Sequence, residues 1–136
     1  MATTNYASTF IQVADDCPVT EAEVPRAKAD KATVASLQYD LLAAKPYELT
    51  SDDLLFEVHA TRRGVTDSDR EQARNAFFAK SQACLRASPL CKRYGWGLHH
   101  DEHGRVALVG LGTEEYARLA KDDTLKQLKA MRSKRA

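Results

Sequence analysis

No run of apolar residues in this sequence approaches the roughly 18 that a membrane-spanning helix requires, and Met1 to Ala14 lacks the basic-then-apolar order of a secretory signal. Both absences point to a cytoplasmic address and to no membrane partner. The three cysteines, Cys17, Cys84 and Cys91, are odd in number and form no CxxC pair, so free thiols of a reducing compartment are expected. There is no repeat and no low-complexity block. No phosphate-loop spacing of the GxxxxGK[ST] kind occurs, nor any helix-turn-helix, zinc-finger or RNP-type pattern, which removes the common nucleotide and sequence-reading nucleic-acid motifs.

What is present is an ordinary globular mixture: 136 residues, 43% hydrophobic and 29% charged. That length suits one domain over residues 1–136 with short flexible ends near 1–6 and 133–136. A chain of this size buries roughly two-thirds of the surface its unfolded form exposes, so it needs no metal, disulfide or cofactor to fold, and none is expected. Charge is unevenly spread. Residues 1–59 carry 4 Lys/Arg against 10 Asp/Glu, residues 60–120 carry 10 against 7, and residues 121–136 carry 6 against 2. The basic end can hold a phosphate-bearing partner weakly, while the near-neutral body argues against a dedicated nucleic-acid binder.

Local patterns predict the order β-α-β-α-β-β-α-α. Thr9 to Ala14 is short and β-branched and is closed by Asp15-Asp16-Cys17-Pro18, so it reads as a strand. The stretch from Pro18 to Ala29 has no period and reads as a long surface connection. Asp30 caps a helix presenting Val34, Leu37, Leu41 and Leu42 and ending near Ala44 ahead of Pro46. Leu54, Phe56, Val58 and Ala60 alternate with Glu57, His59 and Thr61, which predicts a strand closed by Arg62-Arg63-Gly64. Ser68 and Glu71 form a capping-box pattern that opens a long helix through Ala87, with Ala73, Ala76, Phe77, Cys84 and Leu85 as its stripe.

Trp96 to His100 and Arg105 to Val109 flank Asp101-Glu102-His103-Gly104 and predict a hairpin, Gly104 supplying a left-handed position. Thr113 caps a short helix with Glu114 and Glu115 in its first turn. A last helix follows, with Leu125, Leu128 and Met131 inward. The class is therefore α+β, a largely antiparallel sheet of about four strands covered on one face by helices.

Several blocks are shared, in order, with one known group of proteins. They are Thr3-Thr4-Asn5-Tyr6, Asp16-Cys17-Pro18, Tyr47 with Thr50-Ser51-Asp52-Asp53, Ser81-Gln82-Ala83-Cys84-Leu85-Arg86, Lys92-Arg93-Tyr94-Gly95-Trp96-Gly97 and Lys129-Ala130-Met131-Arg132-Ser133-Lys134-Arg135. Over its full length the chain resembles a family of small, stand-alone bacterial and fungal proteins known only as a domain of unknown function. The resemblance implies one folded unit and transfers no activity, cofactor or catalytic residue.

Three chemistries compete. Arg86, Lys92 and Arg93 lie beside Tyr94, Trp96 and two glycines just before the hairpin, with His99 on it. Guanidinium groups grip oxyanions bidentately and aromatic faces stack on planar ligands, so these six residues are the candidates for binding a small anionic ligand, the leading reading. His59 and His99, each on the polar side of its strand, are the candidates for an acid–base pair in a small enzyme, with Glu57 or Thr61 beside them. The basic C-terminal helix, with Lys126, Lys129, Arg132, Lys134 and Arg135, is the candidate for a protein or nucleic-acid partner.

A metal site is not expected, because His99 and His100 are strand neighbours and point to opposite faces. His103 reads as a turn residue in water. Among the thiols, Cys84 reads as packed inward and Cys91, among cations, as the better nucleophile candidate. A two-fold homodimer is the base expectation for assembly.

Overall fold

Phe10 and Ile11 are consecutive residues of a strand, so their side chains leave on opposite faces, and both are fully buried. That strand is one of the two inner strands of the sheet. In the computed structural model, which describes residues 3–26 and 32–133, the elements run β1 (Thr9–Gln12), α1 (Val34–Ala44), α2 (Ser51–Arg63), α3 (Arg70–Ala79), α4 (Pro89–Arg93), β2 (Trp96–His100), β3 (Val106–Gly110), α5 (Glu114–Ala120) and β4 (Lys126–Lys129). The sheet order is β3-β2-β1-β4, antiparallel except for the parallel pair β1 and β4.

Ile11 and Leu98 join Leu42 of α1, Leu54 of α2, and Leu90 and Cys91 of α4 in one core. Phe10 and Val109 join Tyr116 and Leu119 of α5 in a second. Helices therefore cover both faces of the sheet rather than one. The class is α+β with four strands, as the sequence predicts, but two elements exchange roles.

The segment expected as the second strand is α2. Leu54, Phe56, Val58 and Ala60 are all buried, at 0%, 1%, 5% and 4% exposure, so the alternating set was identified correctly while its period was misread. On a helix, residues two apart are about 200° apart, so this alternation is two stripes, 54/58 and 56/60, on nearly opposite sides. Leu54 enters the core beside α1, and Phe56 turns toward Phe77 of α3. A helix covered on two sides mimics a half-buried strand. Its caps give it away: Thr50 and Asp53 form a capping box, and Gly64 closes the C-terminus with a left-handed φ of 65°.

The expected long helix through Ala87 stops at Ala79, after a 3-10 turn over Asp67–Asp69. Positions 80 and 81 should continue the Ala73-Ala76-Phe77 stripe but are Lys and Ser, and Gln82 Nε2 donates to the Phe77 carbonyl (2.7 Å) at the helix end. The extended chain then delivers Leu85 to the core through a second 3-10 turn, Leu85–Ala87.

The expected last helix is β4. Leu125 and Leu128 are an odd number apart, so a strand sends them to opposite faces, Leu125 to the α5 core and Leu128 to the other. Met131 is 52% exposed rather than inward. The helix cap expected at Asp30 lies outside the described residues; Thr33 is the N-cap of α1, in a capping box with Ser36. Of the residues expected to fray near the N-terminus, Thr3 and Thr4 instead bind the Asp52 carboxylate on α2 (2.6 to 2.8 Å). Burial works to raise the Asp52 pKa, but these hydrogen bonds and the Arg74 charge outweigh it and hold the carboxyl below its usual range.

His100 is completely buried, with the Tyr6 ring against it at 5.5 Å. Its Nδ1 lies 3.3 Å from the Leu98 carbonyl, which fits a donating Nδ1–H, and Nε2 has no partner among the described residues. Burial pulls its pKa from 6.5 down to about 4. Between these values the unfolded chain binds a proton that the folded chain refuses, so stability falls as pH drops through that window. His100 should account for about 3 kcal/mol of lost stability by about pH 4. Urea unfolding at neutral and acid pH should show a smaller acid loss for His100→Phe than for the parent; equal losses would contradict this role. Gly64→Ala should cost about 1 kcal/mol by the same assay, and for backbone reasons alone, since a Cβ there meets nothing within 4 Å.

Candidate functional site

The six residues expected to form one anion site are distributed over four places. Lys92 and Arg93 occupy the last turn of α4, which Ser88 caps and Pro89 opens, and Tyr94 follows with its N–H on the Leu90 carbonyl. These three border a cleft of about 290 Å3 whose opposite wall is Thr33, Val34 and Ala35, the start of α1. The other three lie elsewhere. Trp96 is half-buried, donates its indole N–H to the Glu23 carbonyl (2.8 Å) and packs against Tyr39 at 5.4 Å. Arg86 donates Nε to the Lys129 carbonyl (2.7 Å), fastening the 3-10 turn to the edge strand β4. His99 lies on the α5 side of the sheet, one residue out of phase with Leu98 and His100.

The cleft is electropositive by construction. Among the described residues none that lines it is acidic, and the first turn of α1 carries no acidic residue either. The dipole and first amides of a helix start favour an anion; the capping box engages the amides of Thr33 and Ser36, so those of Val34 and Ala35 are the ones to offer, and α1 is 11 residues long, enough to develop the dipole. Lys92 and Arg93 add two formal charges. Arg93 also borders a neighbouring cleft with Asp16, Pro18 and Ser133, so it is shared by the two openings.

The expected acid–base pair does not assemble. His59 is on α2, its ring 4.6 Å from that of Phe77, and His99 is on β2. His99 has a different partner, one the sequence reading did not select. Tyr47 places its hydroxyl 2.8 Å from His99 Nδ1, with the rings edge to face at 5.6 Å. Tyr47 reaches that position from a positive φ of 58°, unusual for a residue with a Cβ and costing about 1 kcal/mol or more. Its N–H donates to the Val106 carbonyl, which fixes the turn after α1 on the sheet. Burial lowers the His99 pKa, against the opposing charges of Asp101 and Glu115, and burial raises that of Tyr47. Both directions favour a neutral pair in which the phenol donates to Nδ1 and Nε2 keeps the proton.

Two further expectations are corrected. Cys91 is fully buried and burial drives its thiol pKa far above the ordinary value, the opposite of an activated nucleophile. Cys84 is half-buried beside an extended chain rather than within a helix, and accepts a hydrogen bond from Tyr6 (3.1 Å). All three cysteines are free, and among the described residues no group of three or more His, Cys, Asp or Glu is arranged to hold a metal. Among the described residues the expected basic C-terminal helix is absent: Lys126 and Lys129 are the first and last residues of β4, Lys129 pairs with Asp15 at 2.8 Å, and Lys134 and Arg135 lie outside the described residues. Among the described residues no helix is long and apolar enough to cross a membrane.

A family model matches residues 1–136. The chain belongs to DUF6157, a family of unknown function. No curated protein and no solved structure matches it. Membership in the family agrees with the resemblance seen in the sequence and carries no chemistry with it, so the functional reading rests on geometry.

The Tyr47–His99 assignment is open to a direct check. In Tyr47→Phe the neutral imidazole loses its donor, so the His99 pKa should move upward toward the ordinary value in a histidine NMR titration. An unchanged titration would show that the phenol does not donate to Nδ1.

Proposed function

We propose that this chain is a cytosolic binding domain for a small oxyanion, a phosphate or carboxylate group, held in the cleft between α1 and α4. The observation that carries the reading is the meeting, around one opening with no acidic residue in its described lining, of Lys92, Arg93 and the start of α1. Lys92 supplies a point charge, Arg93 a two-pronged donor, and the helix start a set of backbone amides. Tyr94 adds an aromatic face beside the oxyanion, which suits a ligand with a planar portion. Arg86, Trp96 and His99 have no part in this site. Arg86 and Trp96 are engaged with backbone carbonyls, and His99 is on the other side of the sheet.

Titrating labelled protein with inorganic phosphate and with pyrophosphate should shift the amides of Val34, Ala35, Lys92 and Arg93 in a saturable way. Replacing both cations, Lys92→Ala with Arg93→Ala, should weaken that binding by about tenfold or more, the size expected for losing charge-assisted hydrogen bonds. Added salt should weaken it as well. Shifts that leave these residues untouched, or a double variant that binds as the parent does, would overturn the reading.

A further inference from the structure

α3 is attached to the molecule in an unusual way: none of its residues is buried. Its fastening is polar and aromatic. Arg70 pairs with Glu57 and Arg74 with Asp53, and both guanidinium groups lie over the Phe56 ring, at 5.2 and 5.6 Å. Phe77 adds ring contacts: it stacks obliquely on His59 at 4.6 Å, with 38° between the ring planes, and meets Phe56 at 6.1 Å. On either side of that stack the surface is hollow. One cleft, about 490 Å3, is bounded by Leu55, Val58, Arg62 and Arg63; the other, about 520 Å3, by Ala73, Ala76, Lys80 and Gln82. His59 and Phe77 line both.

Volumes of this size are those of small-molecule sites, which combine an apolar wall with a few placed polar groups. Here the wall is Leu55, Val58, Ala73, Ala76 and the two rings. The charged groups are of one sign, for among the described residues no acidic one lines either cleft. Nor does Arg62, Arg63 or Lys80 take part in any ion pair among the described residues. Arg62 and Arg63 complement the dipole at the end of α2, a role that one cation would fill and that does not require an apolar hollow beside it. The neighbouring cations differ in this respect: Arg70 and Arg74 are neutralised by the carboxylates of α2.

We propose that the two hollows are one groove for an amphipathic carboxylic acid, a ligand with an apolar body and a single anionic head. The head docks on Arg62 and Arg63, whose planar groups match a carboxylate. The body crosses the His59–Phe77 stack and lies along Ala73 and Ala76 of α3. Because α3 is held by surface ion pairs and ring contacts and not by core burial, it can adjust to bodies of different length at little cost in stability. This groove is independent of the α1–α4 cleft and rests on different residues.

Decanoate below its aggregation concentration is a suitable probe, with decanol as the uncharged match. Titrated into the full chain, decanoate should give saturable NMR shifts at the methyl groups of Leu55, Val58, Ala73 and Ala76. Decanol, and decanoate with the Arg62→Gln, Arg63→Gln variant, should each bind about tenfold more weakly. Ala76→Leu, an exposed substitution that keeps helix propensity, should fill the groove and abolish the shifts while the amide spectrum stays folded. The Lys92→Ala, Arg93→Ala variant should bind decanoate as the parent does. Equal binding of decanol and decanoate, an Arg62→Gln, Arg63→Gln variant that binds as tightly as the parent, or shifts scattered away from the methyl groups of these four residues would overturn the proposal.

Discussion

Everything in this fold is arranged around the packing of Phe10 on Gly97. β1 is an inner strand with helices over both faces, so its apolar side chains must find two separate cores. On the α5 side the space is taken by Phe10 and Tyr116, whose rings meet edge to face at 5.1 Å. A Cβ at Gly97 would lie 2.8 Å from the Phe10 ring and 2.9 Å from that of Tyr116. The bare glycine lets α5 come down onto the sheet, where the Tyr116 hydroxyl accepts the Val13 N–H at 2.9 Å. With that face closed by α5, the opposite face is free to carry α1, α2 and α4, and their outer surfaces carry the clefts.

The parts that the sequence revealed are those whose signal is local. The hairpin follows from Gly104, which takes a φ of 79°, and from Asp101, whose carboxylate accepts the N–H groups of His103 and Arg105. The start of α5 follows from Thr113, and the end of α1 from Pro46. Where the reading failed, tertiary context chose between two periods that the residues satisfy equally. Leu54, Phe56, Val58 and Ala60 fit a strand with one buried face and a helix with two. Leu125, Leu128 and Met131 fit a helix stripe and a strand between two cores. In the first case Thr50-Ser51-Asp52-Asp53 and Gly64 were present as caps, so the helix was recoverable; for β4 no comparable marker exists, because the pairing partner lies more than a hundred residues away.

The candidate sites show the same division. Lys92, Arg93 and Tyr94 are neighbours in sequence and remain neighbours in space, so their cleft was half visible beforehand. Its other wall, Thr33 to Ala35, comes from a distant helix that no local pattern connects to it. Tyr47 and His99 are 52 residues apart and meet because the turn after α1 hydrogen-bonds to β3. Arg62 and Arg63 are hidden when residues 54–61 are read as a strand, which puts them in a turn, and Lys80 is hidden when the helix from Ser68 is carried on to Ala87. Cations with no acidic residue in the described lining recur at both sites, although the chain as a whole carries a formal charge of only +1, and Asp16 enters only where Arg93 borders the neighbouring opening. The acids are occupied elsewhere: Asp52 and Asp53 in α2 caps and ties, Glu57 with Arg70, Asp15 with Lys129.

The central claim is that α5 is seated on the sheet through the gap at Gly97, and the substitution Gly97→Ala tests it most directly. Filling that gap must displace Phe10 or Tyr116, so equilibrium unfolding should show a loss of about 1–3 kcal/mol, the usual cost of overpacking a core. The ring proton shifts of Phe10 and Tyr116 should move with it. A variant of unchanged stability and unchanged ring shifts would mean that α5 does not pack on β2 in this way, and the two-core architecture would be wrong.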